Sequence, residues 1–189
     1  RECKADAITS KLESGEIPYR VTHNDTKLNN VMIDDVTRKG ICVIDLDTVM
    51  PGSMLYDFGD SIRFGASTAK EDETDLSKVS LDLDLFKSYT DGYLSEMAAY
   101  ITYDELTLMA ESIRIIALEL AIRFLNDYIN GDTYFKISYP KHNLDRARNQ
   151  LALVEDIERK LDIMNSYIME SYKKYKEPGQ KLTKSPAAK

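Results

Sequence analysis

The spacing of apolar residues changes character about a quarter of the way along the chain. Early on, apolar residues fall in short runs, Val31-Met32-Ile33 and Ile41-Cys42-Val43-Ile44, parted by the polar stretch Asp34-Asp35-Val36-Thr37-Arg38-Lys39-Gly40. Short β-rich runs around turn-forming residues predict a β-hairpin. Ahead of it, Glu2 to Leu12 suits a short helix ending near Ser14-Gly15, and Ile17 to Thr22 reads as an extended entry into a loop. Pro51-Gly52-Ser53 breaks the chain. From there on helical signals dominate. An acidic segment, Glu71 to Asp75, is expected to be mobile and leads to a helix over Leu83 to Tyr100. Thr102-x-x-Glu105 has capping-box spacing and opens a long helix over Tyr103 to Tyr128. Leu106, Met109, Ile113, Ile116, Leu120 and Phe124 share one stripe of that helix and are read as core. Asn130-Gly131 is the stop. A loop with Tyr134, Phe135, Lys136 and Pro140 precedes a last helix over Leu144 to Lys173. Strands early and helices late predict a mostly helical α+β fold, a short hairpin beside long helices, in one domain over 1–173. The polar remainder, 174–189, is expected to be a disordered tail.

Charge and composition narrow the function. With 189 residues and 43% hydrophobic content the chain can bury a sizeable core. Its net charge of −7 offers no basic footprint for nucleic acid and speaks against a membrane surface. An anionic nucleotide would need a metal ion as mediator. No apolar run approaches the roughly 20 residues of a spanning helix, and no secretory signal opens the chain. Cys3 and Cys42 lack metal-site spacing and read as free thiols in a reducing compartment, so the expected location is the cytoplasm. Arg1 is not a natural initiator, and the chain is read as a piece of a longer protein.

The chemistry sits in His23-Asn24-Asp25-Thr26-Lys27-Leu28-Asn29-Asn30 and in Val43-Ile44-Asp45-Leu46-Asp47. The first segment sets a carboxylate and a carboxamide five residues apart in a polar loop. The second sets two carboxylates at i and i+2 where a strand ends, and the hairpin returns them toward the first. Converging Asp and Asn oxygens suit Mg²⁺ carrying phosphates, with one carboxylate left over to orient or deprotonate a hydroxyl. Phosphoryl transfer needs those parts.

H-x-D-x-x-x-x-N followed by a strand-end Ile-Asp resembles the aminoglycoside phosphotransferase and choline kinase superfamily, relatives of the protein kinases. The resemblance implies that Asp25 is catalytic, that Asn30 and Asp45 hold Mg²⁺ beside the co-substrate ATP, and that His23 braces the loop. Tyr56-Asp57-Phe58-Gly59-Asp60 resembles a downstream segment of the same superfamily, in which Asp57 bonds the catalytic-loop backbone. Further strings are similar to bacterial N-acetylhexosamine 1-kinases: Ile-Asp-Leu-Asp-Thr-Val-Met-Pro-Gly, Arg123 to Tyr128, Tyr134 to Lys136 and His142 to Arg146. This likeness runs from Ile17 to Leu161 and implies an amino-sugar acceptor. One departure stands out. The chain has no G-x-G-x-x-G or Walker A string, and little of it precedes the catalytic loop. It therefore corresponds to a kinase-like C-terminal lobe, with the N-terminal ATP-binding lobe as its missing partner, and is expected to be inactive alone.

Several residues keep two readings. Asp45 and Asp47 also fit a strand-end cap or a D-x-D metal site of the glycosyltransferase kind. Asp47 supports the metal, accepts a substrate hydroxyl or merely turns the chain. Lys27 steers phosphate or substrate, or is a solvated loop lysine. Arg123 meets substrate or pairs with Glu119 one helical turn away. Tyr134, Lys136, His142 and Arg146 are candidate substrate contacts. Choline and aminoglycosides are alternative acceptors, and a non-catalytic kinase-like binding module is the rival outside enzymology.

Overall fold

A computed structural model describes residues 6–176. Helix α1 (Ala7–Glu13) leads into strand β1 (Arg20–Thr22), a 3-10 turn, and the hairpin β2 (Val31–Ile33) and β3 (Gly40–Val43). A second 3-10 turn precedes β4 (Met50–Gly52), after which come α2 (Met54–Gly65), α3 (Leu83–Met97), α4 (Tyr103–Ile129) and α5 (His142–Tyr175). The fold is α+β and mostly helical, as the apolar spacing predicts. The tail expected over 174–189 begins inside α5 for its first two residues; residues 177–189 lie outside the described part.

β2 and β3 pair antiparallel, Val31 opposite Val43 and Met32 opposite Cys42. Two expectations need correction beside this hairpin. Ile17 to Thr22 ends in a true strand, because β1 pairs antiparallel with β4, Arg20 opposite Gly52 and Thr22 opposite Met50. Pro51 is tolerated there because β4 has a single neighbour and need not donate on both edges. The chain break at Pro51-Gly52-Ser53 is thus a strand running into a helix, with Ser53 as N-cap accepting from the Leu55 amide at 3.2 Å. Helix α2 itself is not announced by propensity, since two glycines and two aspartates weaken it. Tertiary packing of Leu55, Phe58 and Ile62, all essentially inaccessible, holds it instead.

The core lies where α4 is packed between α2 and α5. Leu106, Met109 and Ile113 of α4 meet the α2 residues and Leu153, Val154 and Ile157 of α5, and α3 adds Phe86 and Leu94. The crossing of α2 over α4 is close. A Cβ added at Gly59 would stand 2.8 Å from the Ser112 carbonyl oxygen. The stripe of α4 is core except at Ile116 and Leu120, which are partly exposed in a cleft that the buried Phe124 also borders. The capping box is formed, Glu105 accepting from the Thr102 amide and donating its own amide to Thr102. The same buried carboxylate takes a bidentate pair from Arg20 at 2.7 and 2.8 Å, which moors β1 to the start of α4.

The acidic segment is not loose. Arg63 donates to Glu71 at 3.0 Å, and the Asn149 amide reaches the carbonyls of Lys70 and Glu73 at 3.0 and 3.2 Å. Paired charge and satisfied backbone outweigh the repulsion that its composition suggests. No helix among the described residues is long and apolar enough to cross a membrane.

Candidate active site

The loop between β1 and β2 is built around Asp57, which projects from the first turn of α2. One carboxylate oxygen accepts the His23 amide and the other the Asn24 amide, both at 2.8 Å. Burial pushes the Asp57 carboxyl up, and the two amides offset only part of that. Thr26 adds a hydroxyl bond to the Asp57 carbonyl at 2.7 Å. His23 ties the loop to the hairpin: its Nε2 donates to the Ile44 carbonyl at 2.9 Å while Nδ1 accepts from the Asp25 amide at 3.3 Å. That pattern requires the neutral ring with its proton on Nε2.

Asn24, between these two, adopts a left-handed conformation at φ 63°. Asn tolerates that region because its short amide bonds locally, here to the Thr48 carbonyl at 2.9 Å. Thr48 donates in turn to the His23 carbonyl at 2.6 Å. Neither Asn24 nor Thr48 has a sequence signal beyond its place beside the motif.

Asp25 is thereby held at the mouth of a cleft. Its Oδ2 accepts from Lys27 at 2.8 Å and from the Asn30 amide at 3.0 Å. Burial raises the Asp25 carboxyl, but those two bonds and the Lys27 charge outweigh it and hold the group below its ordinary value of 3.8. The hydrogen bond to Asp25 pushes the Lys27 ammonium up, aided by the charges of Asp25, Asp45 and Asp60. Asn30 is buried, and both bonds of its side chain use the amide nitrogen, which leaves Oδ1 with lone pairs to ligate a cation. Asp45 stands at the end of β3, exposed and left-handed at φ 64°, within the field that Lys27 feels.

Among the described residues no cluster of three or more His, Cys, Asp or Glu is arranged to hold a metal. The donors present are one carboxamide oxygen and one exposed carboxylate. That sparse set fits Mg²⁺, which keeps waters and takes most of its remaining ligands from phosphates. It would not fit a dedicated all-protein metal cage.

The cleft beyond Asp25 has a volume of about 860 Å³. Its lining includes Lys27, Asp60, Arg63 and Glu71 together with Ile116, Leu120, Arg123, Phe124, Tyr134, Phe135, Lys136 and Arg146. Arg123 sits over the Tyr134 and Phe135 rings, at 5.8 and 5.5 Å from their centroids. It also lies 4.0 Å from Glu119, the helical pairing expected of it, while it lines the cleft. Arg146 covers the Phe124 ring at 5.4 Å.

His142 does not join them. It is 2% exposed, stacks on Tyr139 and accepts the Ser138 amide on Nδ1, with Asp72 3.4 Å from Nε2. Its placement at the start of α5 under the loop makes it a buried brace rather than a substrate contact. Asp47 is exposed on the 3-10 turn after β3 and does not line the cleft.

A loop carboxylate against a buried carboxamide, carried on a helical lobe beside a hairpin, is the layout of a kinase-like phosphotransferase. Residues 2–97 match the sequence model of the phosphotransferase enzyme family, APH, and the chain belongs to that family. The match takes in the loop, both strand pairs and the helices through α3. α4, α5 and the loop between them, which supply Arg123, Phe124, Tyr134, Phe135, Lys136 and Arg146 to the cleft, lie beyond it.

Proposed function

We propose that this chain is the catalytic and acceptor-binding lobe of an ATP- and Mg²⁺-dependent small-molecule kinase whose acceptor is the anomeric hydroxyl of an N-acetylhexosamine. The observation that carries the reading is the placement of Asp25, which bonds Asn30 on one side and opens into the cleft on the other. Asp25 orients the acceptor hydroxyl toward the γ-phosphorus. As the new P–O bond forms and the bond to the leaving ADP breaks, the hydroxyl proton passes to the Asp25 carboxylate. Asn30 and Asp45 would hold Mg²⁺, which neutralises phosphate charge when bound. Lys27 keeps Asp25 ionised and presents a cation beside it. Asp57 and His23 act through the loop backbone and do not touch substrate. The other half of the nucleotide site is assigned to a second lobe of the same protein, seated on β2 and β3 in the cytoplasm.

The chemistry of the cleft favours a neutral acceptor over choline or an aminoglycoside. Five basic and four acidic side chains line it, in a chain of net charge −7. A site for a cationic acceptor would carry an acidic excess. Tyr134, 74% exposed, offers a ring to the apolar side of a sugar, and Arg123, Lys136 and Arg146 offer donors to its oxygens.

An ATP-coupled assay of the intact protein against N-acetylglucosamine, N-acetylgalactosamine, choline and an aminoglycoside tests this. Turnover of the amino sugars alone is expected. Asp25→Asn should lower kcat by about 10²–10⁴-fold with little change in acceptor KM, and Asp45→Asn should nearly abolish turnover. Preference for a cationic acceptor would overturn the substrate, and Asp45→Asn activity within about threefold of wild type would remove Asp45 from the metal site.

A further inference from the structure

One carboxylate at the end of α4 gathers the backbone of the loop that walls the cleft. Asp127 is 5% exposed and does not line the cleft itself. Its Oδ1 accepts the amides of Thr133 and Tyr134 at 3.0 and 2.9 Å. Its Oδ2 accepts the Phe135 amide and the Asn143 side-chain amide, both at 2.9 Å. Asn143, fully buried, also donates to Asp132 at 2.9 Å and accepts from Arg146 at 3.1 Å. Arg146 reaches on to the Lys136 carbonyl at 3.2 Å. The loop from Asp132 to Lys136 is thus held through its backbone at nearly every residue.

A carboxylate is out of place at a helix C-terminus. The helix dipole opposes it there, and burial removes water that would otherwise solvate it. Burial does push Asp127 up, yet the three loop amides outweigh it and hold the group below the usual carboxylate range. The charge is therefore kept for what it organises. Gly131 and Asp132, both at positive φ, turn the chain back over the helix end so that its amides can point inward. The side chains on the opposite side of this wrap are Tyr134, Phe135 and Lys136, three of the residues lining the cleft. Phe135 then packs on Phe124 at 4.7 Å between ring centroids, and Tyr134 stands edge-on to Phe135 at 4.8 Å.

We infer that Asp127 is a positioning residue for the acceptor: by clamping the 133–135 backbone it fixes the aromatic and basic wall and so sets acceptor affinity without touching the acceptor. The inference rests on the cleft being the acceptor site. Asp127→Asn keeps the shape but turns one acceptor oxygen into a donor facing an N–H group, so at least one loop amide loses its partner.

Two readouts separate this inference from the reading beneath it. In the intact protein with N-acetylglucosamine, Asp127→Asn should raise acceptor KM by about tenfold or more, the loss of one or two charge-assisted hydrogen bonds. The kcat and the KM for ATP should stay within about threefold. Amide hydrogen exchange at Thr133, Tyr134 and Phe135 should quicken by a similar factor, with the core amides of α4 unchanged. Asn143→Ala, which removes one donor to Asp127 and the tether to Asp132, should move both readouts the same way by less, and it serves if Asp127→Asn does not fold. A fall in kcat with KM unchanged, equal losses for ATP and acceptor, or unaltered exchange at the three amides would overturn the inference. If wild type turns over none of the acceptors, the proposed function fails alone, and the exchange measurement still decides whether Asp127 clamps the loop.

Discussion

Asp25 carries an acidity that shapes its chemistry. A general base works best with a pKa near the working pH, yet Lys27 and Asn30 hold this carboxyl below 3.8 against its own burial. Under the proposed function a loose phosphoryl-transfer transition state would reconcile the two, because the acceptor proton need not leave until bond formation is well advanced. Orientation then matters more than basicity. The sign of the pH dependence follows from the same contacts. A carboxylate with a depressed pKa is ionised above it, so activity should be lost only as pH falls through that low value. Lys27→Met removes the bond and the charge that depress Asp25 while leaving its burial. The acid limb of kcat/KM should therefore move to higher pH, and an unmoved limb would show that Lys27 does not tune Asp25. The stability that this ion pair contributes is likewise present above the unfolded carboxyl value and lost in acid, by the same linkage.

At the scale of elements, α2 is the part on which the site depends. Its first turn delivers Asp57 to the loop backbone, and its second turn crosses α4 with no room for a Cβ at Gly59. The obstacle is a backbone carbonyl, which cannot rotate away as a side chain would. Gly59→Ala should cost about 1–3 kcal/mol of stability in urea unfolding, the range for overpacking. The displaced α2 should also loosen the loop and lower turnover. A variant as stable as wild type to within about 0.5 kcal/mol would mean that the helices separate more easily than their packing implies. β1 is moored to the first turn of α4 through Arg20 and Glu105, so the loop is held by α4 on one side and by α2 on the other.

For the molecule as a whole, the helical side is closed and the strand side is open. Met32 and Ile33 are each 48% exposed, and Ile41 and Val43 are 60% and 50%. Paired register sets Val31 and Val43 on one face of the hairpin and Met32 and Cys42 on the other, and neither face is covered. A two-stranded ribbon bare on both faces is marginal in water, which is the physical ground for proposing that a second lobe sits there. The chain by itself should accordingly fold but bind ATP weakly and self-associate through the hairpin. Calorimetry with ATP and Mg²⁺, with light scattering beside it, checks this; micromolar affinity in a monomer would refute it.

What the chain states locally, the fold obeys. The capping box at Thr102 and Glu105, the stop at Asn130-Gly131 and the hairpin around its polar turn are written within a few residues, because caps, turns and short β-runs act over that distance. The loop motif is equally local, so the candidates Asp25 and Asn30 stand out within it and Asp45 at the following strand end, whereas Asp57 stands out only through the resemblance of its own segment. Tertiary structure decided the rest. β1 and β4 are 28 residues apart in sequence, between Thr22 and Met50, and no local pattern pairs them. Whether the stripe on α4 becomes core or cleft wall depends on where α2 and α5 cease to cover it, which Ile116, Leu120 and Phe124 do not record. His142 and Asp127 show the same division. Both are polar residues beside a loop, alike in sequence, and only the chain folding back over the end of α4 buries one as a brace and surrounds the other with amides.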